Sequence, residues 1–161
     1  MAKNMKVAAE RDAADILKRY WRTGSLPVDP VAIARRLDVN VYSAQLGEDV
    51  SGMLIKNVDE DPAIYVDVDD SLPRQRFTVA HEIGHFVDRG IGASTMNYVD
   101  RRGGPFTLRE LYANEFAGHL LMPAGAVVRL HEANWSAWEL ADHFGVSQEA
   151  IGIRLRRLNL T

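Results

Sequence analysis

The chain has 161 residues, 47% of them apolar, enough to build one ordinary core with room for at most a small appendage. A net charge of −3 supplies no field strong enough to draw nucleic acid or an anionic membrane surface. With no cysteine, disulfides and thiolate zinc sites are excluded, which fits a reducing compartment. The first six residues lack the apolar stretch of a signal peptide. No apolar run approaches transmembrane length, so a cytoplasmic protein is expected.

Taken in order, the chain opens on a helix over about 7–22, with Ala13, Ile16, Leu17, Tyr20 and Trp21 as its apolar stripe. Asp29 can cap a short helix over 31–37, with Pro30 at its first position. Residues 39–43 alternate and read as a strand. Two further strand candidates, 51–56 and 63–68, are joined by the acidic stretch 57–62. A small sheet of about three strands is therefore expected before residue 70.

Asp69, Asp70 and Ser71 stand before Leu72-Pro73, a common helix opening. Phe77, Ala80, Ile83, Gly84 and Val87 then recur at helical spacing up to a stop at Gly90. Inside this helix lies His81-Glu82-Ile83-Gly84-His85. Histidines four apart share one helix face and can bind one Zn²⁺ from the same side. Glu82 can act as general base on a water that the metal activates. Gly84 costs helix propensity, so something is expected to pack close to the backbone there.

A third ligand should come from a second helix, over 108–121, where Glu110 completes a His₂Glu set with one position left open. Asn114, one turn further, can hydrogen-bond a ligating histidine and fix its tautomer. Between the two helices, residues 89–107 hold four glycines and a proline with little periodicity and read as a loop. Tyr98, Arg101 and Arg102 in this loop are candidates to stabilise an oxyanion, and His119 is a weaker one.

Beyond Pro123 a short helix is expected over 126–132. Ser136 and Glu139 form a capping box for a helix over 137–144 that stops at Gly145, and Ser147 caps another over 148–158. This is the outline of a helix-turn-helix. Its three arginines, Arg154, Arg156 and Arg157, are cancelled by Glu139, Asp142 and Glu149. Direct DNA binding, which needs a basic face, is therefore not expected, and packing on the body is.

The run from Arg76 to His85, the segment Glu110-Leu-Tyr-Ala-Asn114-Glu115-Phe116-Ala117, and Leu120-Leu121-Met122-Pro123 resemble the ImmA/IrrE family of metallopeptidase-like proteins. The segments around Pro27–Ala34, Ser51-Gly52 and Leu140–Ser147 are also similar, so the resemblance spans nearly the whole chain. It implies a zinc-dependent endopeptidase fold whose relatives act on transcriptional repressors of phage, mobile-element and stress circuits.

The expected fold is thus α+β. A small β-sheet packs on zinc-bearing helices in a zincin-like domain, 1–132, and a helix-turn-helix-like tail, 133–161, packs on it. The partner would be a repressor encoded nearby. The alternative is a non-catalytic antirepressor or toxin–antitoxin component that works by binding. A peptidase must hold its substrate extended, which pairing with a sheet edge achieves. Ser51, Gly52, Met53 and Leu54 are the expected substrate-binding edge, with Gly52 permitting close backbone approach.

Overall fold

Most of the helices start where a side chain satisfies their free N–H groups. In the computed structural model, which describes residues 1–161, Asp29 accepts from Val31 and Ala32 to start helix α2, Pro30–Arg36. Ser71, Thr107, Ser136 and Ser147 do the same for α3 (Leu72–His85), α4 (Leu108–Leu121), α6 (Ala137–Phe144) and α7 (Gln148–Arg157). The Ser136–Glu139 capping box is formed as expected. Helices α1 (Ala2–Tyr20) and α5 (Ala124–Glu132) lack a side-chain cap. Helix α3 does not stop at His85 but loosens into a π-helical turn, Phe86–Gly90.

The sheet has four strands rather than three: β1 Asn40–Ala44, β2 Val50–Lys56, β3 Ala63–Asp67 and β4 Met96–Arg101. Their order is β1-β3-β2-β4, with β1 and β3 parallel and the other pairs antiparallel. Strand β4 lies within the stretch read as a loop. Its inward positions are Met96, Tyr98 and Asp100, so a carboxylate and a phenol interrupt the apolar alternation that marks a strand.

This fourth strand also corrects the expected edge. Strand β2 pairs with β3 on one side and β4 on the other, so Ser51–Ile55 has no free edge to offer. The register slips at Ser51, where two β2 residues oppose one step of β4. Gly52 does permit a close approach, but to helix α3. A Cβ there would stand 2.4 Å from Thr78 Cγ2 and 3.1 Å from Glu82 Oε1.

One face of the sheet, carrying Leu54, Ile64 and Val66, is buried beneath α3. Helix α4 packs against α3 where Gly84 leaves room. A Cβ at Gly84 would come within 3.1 Å of Ala113 Cα and 3.2 Å of Phe116 Cβ. That is the close packing the glycine predicts. On its other side α4 packs on α1, where Tyr112 donates to Asp12 at 2.7 Å.

Leu140, Phe144, Ile151 and Leu155 of the last two helices belong to the same buried cluster as Ile83 and Phe116. Two arginines staple these helices down by satisfying helix-end carbonyls. Arg76 of α3 donates to the carbonyls of Gly145 (3.0 Å), Phe144 (3.3 Å) and Val28 (2.6 Å). Arg154 of α7 donates to the Met122 carbonyl at 3.0 Å. No helix is long and apolar enough to cross a membrane.

Candidate metal centre

His81 and His85 stand on the last turns of α3, one above the other, with Nε2 atoms 3.1 Å apart. Glu110 sits in the first turn of α4 and crosses to both, 3.2 Å from His81 Nε2 and 3.1 Å from His85 Nε2. Asn114, one turn on, lies with Oδ1 2.9 Å from His81 Nδ1. An amide oxygen only accepts, so Nδ1 carries a proton and Nε2 is the nitrogen that faces the cluster. His85 is held differently, by the Tyr98 ring stacked on it at 4.9 Å.

A fourth group completes the cluster. Asp100 on β4 places one carboxylate oxygen 2.7 Å from His81 Nε2 and the other 3.9 Å from His85 Nε2. Nothing in the linear pattern marks Asp100. The one available signal is its i, i+2 relation to Tyr98, visible only once the stretch is known to be a strand. Ligand atoms of His81, His85, Asp100 and Glu110 all lie within 4.8 Å of one another. Atoms about 2.0–2.1 Å from a tetrahedral zinc stand about 3.3 Å apart. The 3.1–3.2 Å separations among the two histidines and Glu110 match that spacing, so these side chains fit a small divalent ion.

Electrostatics point the same way. Burial opposes protonation of His81, but Asp100 and Glu110 outweigh it and push its pKa up to about 10. The two histidines hold the Glu110 carboxyl well below the usual range. The cluster gathers negative charge that calls for a cation among its nitrogens.

Glu82 is fully buried, and neither carboxylate oxygen has a hydrogen-bond partner. Burial first, and the Asp100 charge second, hold its pKa well above the usual carboxylate range. An orphaned carboxylate of this kind is rare in folded proteins unless it has work to do.

Of the four expected substrate-binding residues, Ser51 alone lines the cleft over the cluster, which has a volume of about 230 Å³. Gly52 lies under Glu82, Leu54 is buried in the core and Met53 is half-buried on the other face of the strand. Among the oxyanion candidates, Arg101 lines the cleft. Arg102 is held by Asp67 and Asp70 at 3.1 and 2.9 Å, and Tyr98 is stacked on His85. His119 receives Arg154 Nη2 at 3.1 Å, on the side facing the tail.

The family model of the IrrE N-terminal-like domain, Peptidase_M78, matches residues 34–156. No curated protein matches the chain. The match covers most of the chain, which therefore belongs to this ImmA/IrrE family of peptidase-like proteins.

Proposed function

From that membership and the geometry of the cluster, we propose that the chain is a zinc-dependent endopeptidase. Its substrate would be an intracellular regulatory protein, a transcriptional repressor encoded nearby in a phage, mobile-element or stress circuit. The observation that carries this reading is the meeting of His81, His85 and Glu110 beside the unpartnered carboxylate of Glu82.

Those three side chains would hold the zinc. When bound, zinc supplies Lewis acidity toward a peptide carbonyl and toward water. Asn114 keeps His81 in the tautomer that offers Nε2. Glu82 accepts the proton of the attacking water on a carboxylate oxygen and hands it to the leaving amine nitrogen. Arg101, at the cleft wall, can face the developing oxyanion.

The test is metal content together with cleavage of the neighbouring repressor. Wild type should carry about one zinc per chain. His81→Ala, His85→Ala and Glu110→Ala should each lose most of it. Glu82→Gln should keep the metal and yield no fragments. Full zinc occupancy in Glu110→Ala would break the ligand set.

One observation favours a second reading. Four protein side chains converge where a catalytic zinc needs one open position, and four ligands mark a closed, structural site. A site closed by Asp100 fits an antirepressor or toxin–antitoxin component that acts by binding. In that case wild type and Glu82→Gln would inactivate the repressor equally, without fragments.

A further inference from the structure

The row Glu110, Asn114, Gly118 runs along one face of α4 at one-turn intervals. It leads from the metal cluster to a second hollow of about 410 Å³ between α3, α4 and α7. The two spaces adjoin, with Arg74, Phe77 and Asn114 lining both. Apolar side chains make up part of the second hollow's wall: Phe77 where the two hollows adjoin, and Met122, Val146 and Ile153 beyond it. Of its five charged groups three are engaged, whereas Arg74 and Glu149 make no ion pair at its rim. Arg157 pairs with Glu115, and Arg154 is committed to the Met122 carbonyl and His119.

Gly118 is the telling residue. It sits inside a helix, where glycine costs roughly 1 kcal/mol against alanine. Gly84, in the neighbouring helix, is explained by close contact. Gly118 is not, because a Cβ there would meet nothing within 4 Å. The missing side chain leaves open space at the wall of the hollow, which adjoins the cleft.

We infer that this hollow is a specificity pocket for one bulky apolar side chain of the peptide, a leucine, methionine or phenylalanine; this rests on the peptidase reading proposed above. Gly118 lies eight helical steps beyond Glu110, about 12 Å. An extended peptide advances about 3.3 Å per residue. The residue read here lies two to four positions from the bond over the metal. Helix α7 supplies one wall, so the tail takes part in choosing the substrate.

The probe is a set of four-residue peptide hydroxamates, all glycine except for a single leucine moved through the positions, with the hydroxamate at either end. Binding is measured on the zinc-loaded full chain. For wild type, leucine at one or two positions should bind at least about tenfold tighter than the all-glycine compound. Gly118→Leu fills the hollow with a good helix former and should erase that gain. Its affinity for the all-glycine compound, its zinc content and its melting should be unchanged or better. Gly118→Ala should fall between.

A leucine gain independent of position, or one that survives in Gly118→Leu, would overturn the pocket while leaving the peptide cleft standing. A larger gain from aspartate or lysine at the same position would overturn its apolar character. If the all-glycine compound failed to bind zinc-loaded protein at all, the cleft reading itself would fall, and the pocket with it.

Discussion

Asn114 and Asp100 both touch His81, and they do opposite things to it. Asn114 fixes the proton on Nδ1 from outside the cluster, whereas Asp100 competes for Nε2 from within. Asn114→Ala should therefore fold normally and bind zinc about 10–100-fold more weakly, as chelator competition would reveal. An unchanged affinity would leave Asn114 with no part in the site. Asp100→Ala separates the two functional readings. If Asp100 is a fourth ligand, its loss weakens zinc binding and opens a position, and cobalt-substituted protein should change its visible absorption. If it only neighbours the site, the cobalt spectrum should not move. His81 with His85, and Glu110 with Asn114, are brought together as the sequence suggests, because residues four apart share a helix face and the H-E-x-x-H run calls for a further ligand from a second helix. Asp100 was not, because its position depends on which strand it pairs with, and pairing is a non-local fact.

At the level of elements, the five helices that begin on a side-chain cap were legible to within a few residues, whereas α1, which has no such cap, begins five residues earlier than its apolar stripe suggests. The sheet was legible only in part. Strands β2 and β3 are rich in apolar residues, whereas β4 spends two of its three inward positions on Tyr98 and Asp100. Missing β4 turned the interior strand β2 into an apparent edge. The two glycines that face different problems on α3 and α4 give a paired prediction. Gly84→Ala gains helix propensity but must push Ala113 backbone and Phe116 aside by a few tenths of an ångström. Overpacking of this kind typically costs 1–3 kcal/mol, so a net loss of about 1–2 kcal/mol in urea unfolding is expected. Gly118→Ala meets nothing and should gain up to about 1 kcal/mol. Equal effects from the two would mean that the α3–α4 contact is looser than its spacing indicates.

For the whole molecule, the question is what keeps residues 133–161 on the body. Apolar burial is part of it, through Leu140, Phe144, Ile151 and Leu155. The remainder is a polar seam in which His119 of α4 meets Arg154 and lies near Arg157, with Glu115 Oε2 4.0 Å from its Nε2. Burial first, then the Arg154 and Arg157 charges, lower the His119 pKa to about 4. The folded protein thus refuses a proton that the unfolded chain accepts near pH 6.5. Between those values the unfolded state binds more protons, so stability rises with pH and falls as pH drops from about 6.5 to about 4. Over that window His119 should cost the fold on the order of 2 kcal/mol, since one pKa unit is about 1.4 kcal/mol and the site is partly solvated. His119→Gln keeps an acceptor for Arg154 but cannot be protonated. Urea unfolding of wild type and His119→Gln should agree near pH 7.5 and diverge by pH 4.5, with the variant the more stable. Other groups titrate in both proteins and cancel in the difference. Parallel pH profiles would show that the seam accommodates a protonated imidazole, and that His119 plays no part in holding the tail in place.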